Sequence, residues 1–352
     1  MRIIYARMAG YGFVSTPSDA VVRELENLGH TVFWTDNLSY LPTDKYDFVF
    51  SPYESATILG DAISKILGVP HYAHIEVVPP WRYIQNIDFQ NYGLSANDPE
   101  LQPDIFRKTR AYYAQVLMAY KNATICSTSN KCRLDYMQIM SERQNILLRY
   151  PSIDTRIIEC AKKMYSPKKD PKKIITISRA MPIKRYDLLI KVMNEIKTPN
   201  MTWTIIGEGP MIEIVKKELT NPNIKLEILG VKWGWAKWYE LMKASYMIYA
   251  MGGMPPIEAA MLDVMPVVIE NESTLHLPEF DKFMEYNFNK NMPIFKSNKI
   301  KEMAQRMDEE ILNKDVAPDL LIIKDDFLNG KMGVTTSKQN AIQLIDRMSH
   351  VV

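Results

Sequence analysis

Short runs of bulky apolar residues alternate along this chain with glycine or proline turns, and with stretches whose apolar positions recur every three or four residues. In the first half, Arg2–Ala6, Thr31–Thr35, Phe48–Phe50, His71–Ile75, Thr124–Ser127 and Asn145–Arg149 read as strands. Between them, Val21, Val22, Leu25 and Leu28 share one helical face closed by Gly29. Ser55–Leu67, ended by Gly68, and Phe106–Tyr120 read the same way. The second half repeats the alternation. Strands are expected at Ile174–Ile177, Trp203–Ile206, Ile224–Leu229, Ser245–Tyr249 and Pro266–Ile269, with helices through Leu188, Leu189, Val192 and Ile196 and through Ile212, Val215 and Leu219. The tail reads as helices at Lys299–Leu312 and Ser337–Met348, the latter with Ala341, Leu344, Ile345 and Met348 on one side. Strand and helix alternating across both halves argue for two doubly wound, Rossmann-like α/β domains facing a central cleft.

The composition changes this picture little. At 352 residues the chain can bury two cores, and 47% apolar with 24% charged residues is ordinary for a globular protein. A net charge of +2 forces neither a nucleic-acid nor a membrane partner. Cys126, Cys132 and Cys160 are odd in number and lack metal-ligand spacing, which favours free thiols in a reducing cytoplasm. The opening MRIIYARMAGYGF is too short an apolar run for a signal peptide, and Ser245–Ile269 carries prolines, glycines, Glu258 and Asp263 that a membrane-spanning helix would not. Between Ile157 and Lys173, six lysines punctuated by Pro167 and Pro171 read as an interdomain linker. Its charge is either simply solvated or drawn to an anionic membrane surface at about 1 kcal/mol per basic residue.

Candidate chemistry gathers at the turns that follow strands. Gly10 and Gly12 form a turn without the third glycine of a dinucleotide fingerprint, so a plain tight βα turn is an equal reading. His74 and Glu76 stand at the end of the fourth strand, where α/β folds place ligands; a histidine satisfied inside the sheet is the alternative. Arg179 and Lys184 lie five residues apart across one turn and can clamp a diphosphate, one as a planar fork and one as a point charge. Gly207-Glu208-Gly209-Pro210 opens another helix. Gly252 and Gly253 precede Pro255 and Pro256, a glycine turn feeding a helix start suited to an anion. Glu258, placed in the same first turn, would repel a phosphate and suits neutral hydroxyls such as a ribose's. Lys232-Trp233-Gly234-Trp235-Ala236-Lys237-Trp238-Tyr239 interleaves rings and cations. It can stack on a base or sugar, sit at a membrane interface, or pack as an ordinary helix.

Gly253, Pro255, Glu258, Ala259, Pro266, Val267 and Val268, followed by Leu277-Pro278-Glu279, resemble the donor-site signature of the group 1 retaining glycosyltransferases, which have the GT-B fold. Arg179 and Lys184 resemble the arginine and lysine of that family's diphosphate-neutralising turn, with Ser178 and Arg185 in place of its two glycines. The family's first signature acid, which faces the donor sugar, is replaced here by Ala250, and Tyr150-Pro151-Ser152-Ile153-Asp154 lacks the glycine of a related family turn. The resemblance implies donor contacts from Gly10, Gly12, Arg179, Lys184, Gly207, Val231, Gly253, Met254 and Glu258. It puts Val231 by the nucleotide base, and implies catalytic roles for His74 or Glu76 together with Arg179 and Lys184.

On this reading, residues 1–155 form an N-terminal acceptor domain joined by a returning helix at about 335–352, 156–172 a linker, and 173–334 a nucleotide-sugar donor domain. The expected activity is retaining transfer of a hexose from a UDP- or GDP-sugar to an unidentified glycan, lipid, protein or nucleic acid, with no cofactor or metal required. The expected place is the cytoplasm, with peripheral contact to the inner face of the membrane left open. The alternatives are a catalytically degenerate nucleotide- or glycan-binding protein, nucleotide-sugar epimerisation, and glycosylation of DNA or protein.

Overall fold

The structure, a computed structural model, describes residues 1–7, 17–52, 54–75, 114–127, 137, 147–148, 152–250, 254–270, 294–329 and 335–349. The chain divides into two compact units. The first holds the described residues between Met1 and Asp154 together with 335–349, and the second those between Thr155 and Asn329.

The first unit is built on a six-stranded parallel sheet. Its strands are β1 (Arg2–Ala6), β2 (Thr31–Thr35), β3 (Phe48–Ser51), β4 (His71–Ile75), β5 (Thr124–Ser127) and β6 (Leu147–Leu148), in the order β2-β1-β3-β4-β5-β6. Ile3 and Tyr5 of β1 join Phe48, Phe50 and Tyr72 on one face, while Ile4, Ala6 and Val49 pack on the other with Ile63. Burial on both faces is why β1 is apolar throughout rather than alternating. Helix α1 (Pro17–Asn27) covers the first face with Val21, Val22 and Leu25. It is met there by Ala341, Leu344 and Met348 of the last helix, Ser337–Ser349. The second face is covered by α2 (Glu54–Leu67), and Val116 and Tyr120 of α3 (residues 114–121) pack against Ala73, Ile75 and Ile125. A separate short parallel pair joins β7 (Ser152–Ile153) to Thr335–Thr336.

The stretch expected as a linker is mostly regular structure. Thr155–Met164 form helix α4, because Ile158 and Ala161 fall on one buried face, and the next strand, β8, already begins at Asp170. Nor are all of its lysines simply solvated. Lys162 pairs with Asp263 at 2.8 Å, Lys169 donates to the Asp263 main-chain carbonyl, and Lys173 is buried against Glu227 at 3.0 Å.

The second unit repeats the architecture. Its parallel sheet runs β10-β9-β8-β11-β12-β13, built from β8 (Asp170–Ile177), β9 (Met201–Ile206), β10 (Ile224–Ile228), β11 (Ala244–Tyr249), β12 (Met265–Glu270) and β13 (Ile294–Lys296). Helices α5 (Tyr186–Glu195), α6 (Met211–Glu218), α7 (Gly234–Lys243) and α8 (Met254–Met261) follow successive strands. Beyond β13 come α9 (Ile300–Arg306), continued by a π turn at Met307–Ile311, and α10 (Ala317–Leu328); Ser337–Ser349 is α11. Trp203 is fully buried, and its indole N–H donates to Thr176 Oγ1 at 3.0 Å. That hydroxyl donates in turn to the Ile248 carbonyl at 3.1 Å, so the one polar atom of the ring is satisfied inside the sheet.

The first strand of this unit, β8, lies between β9 on one side and β11 on the other. Connections leave β8 toward one edge and return to the other edge from β11. That makes the carboxyl ends of β8 and β11 the topological switch point, where open α/β sheets bind ligands.

Candidate functional site

Two chain segments flank that switch point: the turn after β8, which carries Arg179 and Lys184, and helix α8 after β11, which carries Glu258. The first is tightly specified. Ser178 N–H donates to the Ile206 carbonyl at 3.1 Å and Ala180 N–H to the Glu208 carbonyl at 2.8 Å, so the β8 turn is stitched to the β9 turn. A Cβ on Gly207 would stand 1.9 Å from the Ser178 carbonyl oxygen, and one on Gly209 would stand 2.4 Å from that of Ala180. Both glycines also have positive φ, 149° and 140°, so Gly207 and Gly209 let two turns approach more closely than any side chain permits.

Ser178 and Arg185 fill the two places where the resembling family has glycine, and each has its own arrangement. The Ser178 hydroxyl lies 3.0 Å from the Tyr186 hydroxyl, and the phenol also donates to the Ser178 carbonyl at 3.3 Å. Burial pushes the Tyr186 phenol up to about 12, so it stays protonated. Arg185 adopts the left-handed conformation, φ 50° and ψ 44°, that a glycine takes freely. It forks onto Asp187 with two bonds of 2.9 Å. Burial alone would raise the Asp187 pKa, but the Arg185 fork and Lys191 outweigh it and hold the carboxyl below its ordinary value. Between these anchors, Pro182–Lys184 form a single 3₁₀ turn, leaving Arg179 exposed and Lys184 half-buried.

Helix α8 begins at Met254, which is half-buried, with Pro255 and Pro256 in its first turn. Glu258 is its fifth residue and so stands one position beyond that turn, where the helix dipole has already weakened. The Glu258 carboxylate is 23% exposed and lies 3.9 Å from the ammonium of Lys237 on α7. That ammonium also sits 4.7 Å from the ring centre of Trp238. Lys237 stands among the tryptophans along the chain, and only the fold brings it to Glu258. At the end of β11, Ala250 is 2% exposed.

Val231 is exposed just past β10, behind Gly230, whose carbonyl accepts from Gly207 N–H at 2.9 Å. The end of β10 is thereby tied to the same cluster of turns. His74 belongs to the first unit, in β4 opposite Cys126, and is 4% exposed. Gly10, Gly12, Glu76 and Gly253 lie outside the described residues. Cys126 is a buried free thiol and Cys160 an exposed one. Among the described residues no three His, Cys, Asp or Glu side chains gather as a metal site would need.

The chain has the GT-B fold, and Arg179, Lys184 and Glu258 stand on the turn and the helix that flank the switch point of its second unit. Residues 159–317 match the model of the glycosyl transferases group 1. Its fold is similar to that of HepE from Anabaena in complex with UDP-glucose: TM-score 0.64 and 12% identity over 99% of this chain and 100% of the other. Sucrose-phosphate synthase from Thermosynechococcus elongatus gives a TM-score of 0.64 at 10% identity, over 100% and 99% of the chains. An α-glucosyltransferase in complex with UDP-glucose and DNA containing an abasic site gives 0.62 at 12%, over 99% and 98%. A sequence search of curated proteins finds no match.

Proposed function

We propose that this enzyme is a retaining glycosyltransferase that moves a hexose from a nucleoside diphosphate sugar to an acceptor hydroxyl. The observation that carries the reading is the pairing of the Arg179/Lys184 turn with the Glu258 helix on the two strands of the switch point. The two cations would stabilise the charge that develops on the departing diphosphate, which is electrostatic catalysis by preorganised groups. Glu258, held beside Lys237, would accept hydrogen bonds from the ribose hydroxyls, and Val231 would border the base. The acceptor hydroxyl would attack from the face that the diphosphate leaves, so no protein nucleophile is needed. His74 or Glu76 would position groups there. UDP is favoured as the donor nucleotide because two structures of similar fold are complexes with UDP-glucose. The acceptor class is left to experiment, and the working place is the cytoplasm.

A thermal-shift panel of UDP, GDP, ADP and their hexose conjugates tests the donor assignment. A ligand at one hundred times its Kd adds about 2.7 kcal/mol of apparent stability, so the response is readily seen. Arg179→Ala and Lys184→Ala are each expected to weaken nucleoside diphosphate binding by more than about 1.5 kcal/mol in calorimetric titration, the scale of a charge-assisted hydrogen bond. Unchanged binding in both variants would remove the clamp. The anomeric configuration of the product, read by NMR, separates retention from inversion.

Ala250 supports one second reading, a binding protein without turnover, since it stands where the resembling family has an acid and is itself buried. Ala250→Glu with undiminished nucleotide binding separates the two. Turnover that rises in the variant marks a slow enzyme lacking its sugar contact, and none in either form marks the binding protein.

A further inference from the structure

The ring-and-lysine stretch around α7 is not used by the donor site beyond Lys237, and its placement carries a separate inference. Helix α7 turns Trp238, Leu241 and Met242 into the core. Beside that buried face stand Trp235, 41% exposed, and Tyr239, 37% exposed, with Trp233 at the N-cap 70% exposed. Tyr165, just beyond α4, joins them, its ring 6.3 Å from Trp235 and 5.5 Å from Tyr239. These rings belong to one unit, and water faces them although ring surface of this size is ordinarily buried.

Cations outnumber carboxylates around the rings. The Lys243 ammonium lies 4.4 Å from the Tyr239 ring centre, Lys232 is half-buried beside Trp233, and Lys163 and Lys168 are exposed around Tyr165. The single carboxylate of α7, Glu240, is 18% exposed and already paired with Lys243 at 2.9 Å and Lys173 at 3.9 Å. On α4 the exposed Glu159 is outnumbered by Lys162 and Lys163.

We infer that this face docks on an anionic phospholipid bilayer, with Trp233, Trp235 and Tyr239 entering the headgroup region and the flanking lysines meeting its negative charge. Amphipathic rings settle at the membrane–water boundary because one side is apolar and the other can hydrogen-bond. Lysines at the same height add attraction that salt screens. A glycan platform would place free carboxylates or amides beside the rings to bind sugar hydroxyls; here Glu240 is tied to Lys243 and Lys173, and exposed lysines outnumber Glu159. Among the described residues no helix is long and apolar enough to cross a membrane. The inference does not depend on the donor assignment.

The experiment is co-sedimentation of the full-length protein with vesicles of phosphatidylcholine alone or mixed with phosphatidylglycerol, at low and high salt. Tryptophan emission is followed in the same samples with and without brominated lipid as a quencher. Binding to the anionic vesicles only, lost at high salt and accompanied by quenching, is expected. Trp233→Ala, and Trp233→Ala with Trp235→Ala, are expected to lower the partition about tenfold or more. Both variants should keep the wild-type melting temperature and the wild-type thermal response to UDP, which separates a lost docking face from a damaged fold or donor site. Absence of binding to anionic vesicles, equal binding to neutral ones, or partition unaffected by removing both rings would each overturn the inference. So would ring fluorescence that responds to soluble oligosaccharides and not to vesicles.

Discussion

Single side chains whose surroundings are fixed on every side give the sharpest expectations. His71 is 3% exposed in β4, its Nε2 2.7 Å from the Ser51 hydroxyl, and Gly60 makes room for the ring, since a Cβ there would stand 2.4 Å from that nitrogen. Burial pulls the imidazole down to about 4 from its ordinary 6.5. In the unfolded chain His71 takes up a proton below about pH 6.5, whereas in the folded chain it does so only near pH 4. The unfolded state therefore binds more protons across that window, and stability falls as pH drops through it, by at most about 3 kcal/mol. His71→Asn should flatten the decline in melting temperature between pH 6.5 and 4 relative to wild type. An unchanged slope would mean that the ring is protonated in the folded protein. Gly207→Ala is the second residue-scale expectation. The Cβ has only backbone to meet and the φ of 149° suits no other residue, so a loss on the order of 2 kcal/mol is expected in chemical denaturation, together with weaker nucleotide binding.

Among the elements, α11 shows most clearly how packing exceeds periodicity. Its apolar spacing was legible, as was that of α1, but which surface each covers is a property of the sheet between them. Ala341, Leu344 and Met348 meet Val21, Val22 and Leu25 over the Tyr5, Phe48 and Tyr72 face. Leu344→Ala should therefore cost about 2–5 kcal/mol in chemical denaturation, the range for a fully buried leucine, whereas truncation of a solvent-facing helix residue costs little. The turn from Ser178 to Tyr186 is the other instructive element. Arg179 and Lys184 were recognisable from their spacing, but the substitutes for its two glycines were not interpretable from sequence. Ser178 is held by Tyr186, and Arg185 takes the left-handed conformation while forking onto Asp187. Both depend on partners two to eight residues away whose direction only the folded backbone defines.

For the whole molecule, the expectation concerns what the chemistry requires. On the proposed function, Arg179, Lys184 and the start of α8 would neutralise the leaving diphosphate without a bound divalent ion. Transfer is therefore expected to continue in excess chelator. Activity abolished by chelator and restored by Mg²⁺ or Mn²⁺ would show that the clamp is not sufficient.

By itself the sequence determined the alternation of strand and helix and the glycine turns. It also offered Arg179, Lys184 and Glu258 as candidates beside those turns, because apolar periodicity, glycine and proline act through neighbours a few residues away. The tertiary structure decided what depends on long-range approach. It set strand order, and hence which turns share a switch point. It brought Lys237 of α7 to Glu258 of α8 and, of the lysines expected in a linker, Lys162 and Lys169 onto Asp263. It also chose which rings of the tryptophan stretch are buried and which meet water. Those outcomes follow from packing two faces of a parallel sheet at once, a constraint that joins residues far apart in the chain and leaves no local mark on it.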